Sequence, residues 1–156
     1  MSAVRSISLR TWYGIDAAVD IRDRSWHRAG FRKLLLLHPP LFNWLLRRGL
    51  PFVPYRKLAV LHEFGHLQWL PGILVYLFAS FFGVYWLRKV DFWNVLLLLL
   101  GAHLLWELLA ESYVRQRTGR YYRNAYRKTV KWPRWTFAIG TALFFAGTWT
   151  AVLWRN

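Results

Sequence analysis

Residues 62–66 read His-Glu-Phe-Gly-His, a pattern that suits the binding of a divalent metal ion. On a helix, side chains four residues apart share one face, so the imidazoles of His62 and His66 can reach the same ion. The Glu63 carboxylate beside them can hold and deprotonate a metal-bound water, which is the task of a general base in metal-assisted hydrolysis. The alternative is that the two histidines only cap the end of a membrane helix near the lipid headgroups.

Two further glutamates, Glu107 and Glu111, lie four residues apart in a later apolar segment. Measured at about 1.5 Å per residue along two antiparallel helices, Glu107 lies near the level of both histidines and Glu111 lies level with the first. We therefore expect Glu107 to be the third ligand. Glu111 is expected to accept a hydrogen bond from the first histidine, although pairing with an arginine such as Arg115 is the alternative. His103 lies roughly 5 Å deeper, so it ranks below Glu107 as third ligand and is a candidate for oxyanion stabilisation or for an additional role in the site.

The expected cofactor is Zn²⁺. The chain contains no cysteine, so any metal must be held by histidine and carboxylate, and two histidines with one glutamate are a known catalytic zinc set. Glu63 would take a proton from the metal-bound water and return it to the leaving amine of a cleaved peptide bond. The predicted function is therefore that of a zinc metallopeptidase.

Two segments resemble the motifs of a known family. Residues 61–66, Leu-His-Glu-Phe-Gly-His, and 106–111, Trp-Glu-Leu-Leu-Ala-Glu, are similar to the gluzincin metallopeptidases, in which HExxH is followed by a helix carrying ExxxD or ExxAD. The membrane-embedded members, of the CAAX prenyl protease and heat-shock membrane protease type, are the most similar. The resemblance implies a zinc endopeptidase with Glu107 as third ligand and position 111 supporting the first histidine. Position 111 is Glu where the family usually has Asp, and the chain is much shorter, so the substrate class does not carry over.

Three apolar segments are long enough to cross a bilayer, which takes about 20 residues. They cover residues 58–87, 92–114 and 135–154. The predicted fold class is an all-α integral membrane protein: one membrane-embedded domain with three transmembrane helices and amphipathic or interfacial helices before them.

The region before the first span is expected to lie at the membrane surface or to pack on the domain. Wound as a helix, residues 12–23 place their apolar side chains in one arc and three aspartates on a separate stripe, which predicts an amphipathic helix. Residues 34–46 are apolar but too short to span and contain two prolines, so they predict an interfacial or re-entrant element.

Within the spans, single residues predict local features. Pro71 should kink the first span or begin a new helix, and Gly65 would allow another backbone or the substrate to approach closely. Small residues in the third span offer a packing surface for the other spans or for a second copy: Gly140, Ala142, Ala146 and Gly147.

The basic residues predict the orientation in the membrane. The chain has a net charge of +15, and of its 22 Lys and Arg residues 11 precede the first span and 8 lie in the loop 115–134. The positive-inside rule places these regions in the cytoplasm, with the N-terminus inside, the C-terminus outside and the site near the cytoplasmic face of a plasma or inner membrane. Because the charges flank apolar stretches, the expected partners are anionic headgroups and not nucleic acid.

A membrane-associated protein or peptide is the expected substrate of such a site. Two other functions fit the same features: a non-enzymatic basic membrane adaptor that binds anionic lipid or a protein partner, and a zinc hydrolase that acts on a lipid or small amide.

Overall fold

Three long helices make up most of the described chain. The computed structural model describes residues 7–31, 34–38, 43, 46–47, 49–121, 124 and 134–154, with the backbone alone at 34–35, 38 and 134–138. The helices are α1 (Phe52–Trp86), α2 (Phe92–Thr118) and α3 (Arg134–Trp154). Each predicted apolar segment is therefore helical. Both α1 and α2 are long and apolar enough to cross a membrane, whereas the apolar stretch found in α3, Ile139–Trp154, is shorter.

A small antiparallel sheet precedes the helices. Its four strands pair in sequence order: β1 (Ile7–Arg10), β2 (Asp16–Ile21), β3 (His27–Phe31) and β4 (Leu34–His38). The all-α prediction is therefore wrong for this part of the chain. The amphipathic helix expected over residues 12–23 is a turn followed by β2, and the first residues of the element expected over 34–46 form β4.

Turn chemistry explains why this region forms strands. The β1–β2 turn is closed by Thr11, whose hydroxyl donates to the Ile15 carbonyl at 2.9 Å, and Gly14 adopts a φ of 85° that favours glycine. The Asp23 carboxylate accepts hydrogen bonds of 2.7 Å from the backbone and hydroxyl of Ser25 in the β2–β3 turn. A six-residue segment between two such turns, apolar except for Asp16 and Asp20, fits a strand as well as a helix, so periodicity alone could not decide.

The chain divides into two compact units. The first comprises Met1–Gln68 and Leu109–Lys131, and the second comprises Trp69–Leu108 and Trp132–Asn156. In the first unit, the apolar face of the sheet packs against the N-terminal half of α1. Its core includes Ala17, Val19, Ile21, Ala29, Tyr55, Leu58, Ala59, Phe64, Leu67 and Val114.

The second unit consists of helical segments with a small interior. Val84, Leu98 and Val152 form its buried cluster, with Trp149 packed against them. Many of its large apolar side chains are exposed, among them Val75, Phe78, Trp86, Phe92, Leu143 and Trp154. Exposed apolar surface of this extent is typical of a site that contacts lipid or another protein.

The β1–β2 turn contacts α1 at the carbonyls preceding Pro71. The helix continues through Pro71 and does not restart there. Proline has no backbone N–H, so it cannot satisfy the carbonyl four residues earlier, at Leu67. The Tyr13 hydroxyl donates to that carbonyl at 2.6 Å, and the Trp12 indole donates to the Gln68 carbonyl at 2.8 Å. The β1–β2 turn is thereby attached to α1 one and two residues beyond the second histidine of the motif.

Candidate metal centre

Helix α1 holds the two motif histidines side by side in the protein interior. Their side chains lie on one helix face, with ring centroids 4.7 Å apart and the rings nearly perpendicular. His62 is 1% exposed and His66 is 2% exposed. Burial of two imidazoles at this spacing gives a nitrogen-rich face that could bind one metal ion.

The backbones of α1 and α2 come into close contact beside these histidines. A Cβ atom placed on Gly65 would lie 2.9 Å from both the Cα and the carbonyl oxygen of Ala110, too close for any side chain. The close approach predicted for Gly65 is thus made to the backbone of α2. Because Ala110 directly precedes Glu111, this contact brings the acidic face of α2 towards the histidine face of α1.

Glu111 lies against the first histidine and a buried arginine. Its Oε2 atom is 3.0 Å from Nδ1 of His62, and it also accepts a hydrogen bond from Nη2 of Arg47. With an ionised Glu111, Nδ1 of His62 is the donor and Nε2 presents the lone pair, because a carboxylate only accepts hydrogen bonds. An arginine does pair with Glu111, but it is the fully buried Arg47 instead of Arg115, which is exposed.

Glu63 is bonded to two side chains from the N-terminal region. Its Oε1 atom accepts a hydrogen bond of 2.9 Å from Nδ2 of Asn43 and lies 3.0 Å from Nδ1 of His27. The other ring nitrogen of His27 lies 3.0 Å from the Tyr55 hydroxyl, which donates to the Arg24 carbonyl at 3.2 Å. Glu63, His27 and Asn43 are each at most 2% exposed, so these bonds form where water does not compete.

Arg47 joins these two groups into one polar network. It donates from Nη2 to Glu111 and from Nη1 to the amide oxygen of Asn43. That second bond orients the amide, so that its nitrogen faces Glu63. Asn43 and Arg47 are both helical residues, and their spacing of four places them on one face. The carboxylate of the motif and the carboxylate that contacts its first histidine are therefore linked through buried hydrogen bonds.

Glu107 lies one turn before Glu111 on α2. One potential ligand atom from each of His62, His66 and Glu107 lies within 4.8 Å of the other two. The Glu107 side chain is 12% exposed, and one of its carboxylate oxygens is 3.7 Å from Nε2 of His103. His103 is itself 59% exposed, which distinguishes it from the buried histidines of the motif.

The sequence did not indicate four of the polar residues around the motif. They are His27, Asn43, Arg47 and Tyr55, of which each is at most 1% exposed. The spacing of Asn43 and Arg47 within an otherwise apolar stretch was the one available signal, because a buried arginine requires an acidic partner. No local pattern relates His27 to Glu63, since the two residues meet only through the packing of β3 on α1.

Comparison of the chain with protein-family models, with curated proteins and with solved structures gives no match.

Proposed function

We propose that the protein is a membrane-embedded zinc metallopeptidase, with His62, His66 and Glu107 as the ligands and Glu63 as the general base. The observation that carries the proposal is the grouping of these three potential ligands within 4.8 Å of one another, next to the buried Glu63. Two histidines and one glutamate match a ligand set of catalytic zinc, which leaves a fourth position for water or substrate.

The types of side chain in this group also suit a divalent cation. Three carboxylates, Glu63, Glu107 and Glu111, belong to or border the two buried imidazoles, and Arg47 pairs with one of them. Neutral imidazole nitrogens and carboxylate oxygens are ligands that Zn²⁺ takes in proteins.

The chain's own residues have distinct tasks in the proposed hydrolysis. Zinc, when bound, supplies the Lewis acidity that activates a water molecule and polarises a carbonyl. Glu63 accepts the proton of the attacking water and passes it to the leaving amine. Glu111 orients the ring of His62 through Nδ1, so that Nε2 can coordinate. Arg47 holds the Glu111 carboxylate in place through its hydrogen bond.

A location in the membrane is supported by the helices. In the most apolar 18-residue window of both α1 and α2, only 28% is buried within the chain, whereas the core helix of a soluble protein is mostly buried. The uneven distribution of Lys and Arg favours a cytoplasmic N-terminus and an extracytoplasmic C-terminus. The HExxH motif then lies near the cytoplasmic face, where a membrane-associated protein or peptide can reach it. Anionic headgroups would contact the basic regions, and the third helix could bind a second copy.

Zinc content provides the first test. The chain, purified in mild detergent, is expected to hold about one zinc per chain, and Glu107→Ala should lose nearly all of it. Glu111→Ala should weaken zinc binding by about 10- to 100-fold. His103→Ala is the matched control, because His103 is exposed and is not one of the three proposed ligands; its zinc content should equal that of the parent. A parent without zinc, or a Glu107→Ala variant that keeps it, would contradict the ligand assignment.

Catalysis is tested in proteoliposomes with a library of lipid-anchored peptides. We expect the parent to produce cleaved peptides and Glu63→Gln to produce none, while the variant still binds zinc, because Glu63 is not a ligand. Cleavage by Glu63→Gln at the parental rate would refute the role of general base. Hydrolysis of lipid or of a small amide without peptide cleavage would instead support a zinc hydrolase that acts on those substrates. If Glu63→Gln binds lipid as well as the parent and neither protein hydrolyses any substrate, the result would support a non-enzymatic membrane adaptor.

A further inference from the structure

Two hydrogen bonds from the N-terminal region reach the same carboxylate oxygen of Glu63. Nδ1 of His27 and Nδ2 of Asn43 lie 3.0 Å and 2.9 Å from Oε1. Two donors on one oxygen fix the plane of the carboxylate as well as its position, because they approach from different elements of the fold.

We propose that His27 is a positioning residue for the general base, an inference that rests on the proposed peptidase function. A base must be held in its productive orientation before the reaction, since misplacement by about 1 Å can cost about 10²-fold in rate. His27 begins β3 and is fully buried, and its ring is held from the far side by the Tyr55 hydroxyl at 3.0 Å from Nε2. The sheet therefore supports the orientation of Glu63 through a rigid, hydrogen-bonded ring.

Burial of these polar groups argues against a purely structural role. A core built only for stability would be filled by apolar side chains, because buried polar groups are tolerated only when they are hydrogen-bonded. Here His27 and Asn43 converge on the one carboxylate that the motif requires for catalysis. Asn43 is in turn oriented by Arg47, whose other nitrogen binds the Glu111 carboxylate next to His62. The general base and the first proposed ligand are thus positioned by the same network.

Two substitutions of similar polarity separate the proposed role from a general effect on folding. In His27→Asn, the amide nitrogen stands where Nδ1 stands in the parent and can still donate to Glu63. In His27→Gln, the amide nitrogen stands where Nε2 stands, so it can reach Tyr55 but not Glu63. Both variants replace the imidazole with a neutral amide, so they differ only in where the amide nitrogen lies.

The kinetic test uses a quenched-fluorescent, lipid-anchored peptide that the parent cleaves in proteoliposomes. His27→Gln is expected to lower kcat by about 10- to 100-fold with KM and zinc content unchanged, because only the orientation of the base is lost. His27→Asn should keep kcat within about 3-fold of the parent. An equal loss in both variants, or a loss of zinc and thermal stability together with activity, would show a structural role and refute the proposal.

The hydrogen bond itself can be observed without substrate or metal. In zinc-free protein labelled with ¹⁵N-histidine, the Nδ1–H proton of His27 should resonate downfield and exchange slowly with water. It should move upfield in Glu63→Gln, because an amide oxygen is a weaker acceptor than a carboxylate. Absence of the protected signal, or its insensitivity to Glu63→Gln, would overturn the proposal.

The outcomes also distinguish this inference from the proposed function. A parent that neither binds zinc nor cleaves any peptide would refute the peptidase and the positioning role together. An active, zinc-containing parent whose His27→Gln variant retains the parental kcat would refute the positioning role alone.

Discussion

Gly65→Ala should force α1 and α2 apart at the candidate metal centre. The new Cβ would lie 2.9 Å from the Cα and the carbonyl oxygen of Ala110, and both atoms belong to backbone that cannot rotate away. Relief to an optimal contact of about 3.5 Å requires a separation of about 0.6 Å. The bond between Nδ1 of His62 and Oε2 of Glu111, now 3.0 Å long, would then stretch to about 3.6 Å, beyond the range of a hydrogen bond.

Two quantities should change in this variant. Overpacking is expected to cost about 1–3 kcal/mol of stability. Loss of the bond to Glu111 is expected to weaken zinc binding by about 10- to 100-fold. The first is measured by thermal unfolding of zinc-free protein in detergent, and the second by competition with a chelating dye.

Gly83→Ala is the matched control, because Gly83 lies in the same helix and a Cβ there meets nothing within 4 Å. This control should gain up to about 1 kcal/mol from the higher helix propensity of alanine, with zinc affinity unchanged. A Gly65→Ala variant that binds zinc as tightly as the parent and unfolds at the same temperature as Gly83→Ala would refute the predicted separation of α1 and α2.

Two further substitutions test the buried contacts. Arg47→Met should destabilise the zinc-free protein by about 3–5 kcal/mol in thermal unfolding, because the Glu111 carboxylate is left buried without Arg47. The double variant Arg47→Met with Glu111→Gln should recover part of this stability. If it recovers none, the assigned pairing of Arg47 with Glu111 is contradicted. Tyr13→Phe should lower the free energy of unfolding by about 1–3 kcal/mol in the parent. In a Pro71→Ala background the loss should be less than about 1 kcal/mol, because residue 71 then supplies the N–H that the Leu67 carbonyl lacks. Equal losses in both backgrounds would disprove this explanation. Burial raises the pKa of the Tyr13 phenol, and its hydrogen bond with Thr11 lowers this pKa by less. The stability advantage of the parent over Tyr13→Phe should therefore be complete below a pH of about 10 and should decline as the pH rises through the raised pKa.

The prediction of the helices succeeded because their signal is local. Three apolar runs separated by basic or turn-forming residues can form only long helices, whatever surrounds them, and all three are helical. The level at which Glu107 and Glu111 should lie relative to the histidines also followed from counting residues, since the rise per residue of a helix is constant. The structure places both glutamates next to motif histidines.

The prediction of the N-terminal region failed because its signal is short. Residues 16–21 fit a helical arc as well as a strand, and the choice was made by the turns at Thr11–Ile15 and Asp23–Ser25 together with pairing to β1 and β3. Such pairing is made with the two neighbouring strands and leaves no periodic pattern of its own within β2.

The sequence by itself determined the identity and helical spacing of the candidate ligands, because side chains four residues apart share a helix face in any context. Only the tertiary structure decided which groups hold them. Gly65 sets the distance between α1 and α2, and Arg47 donates a hydrogen bond to Glu111, which lies 64 residues later in the chain. His27 reaches Glu63 because β3 packs against α1. Burial strengthens these hydrogen bonds, but no local sequence pattern predicts them, because their partners are far apart in the chain.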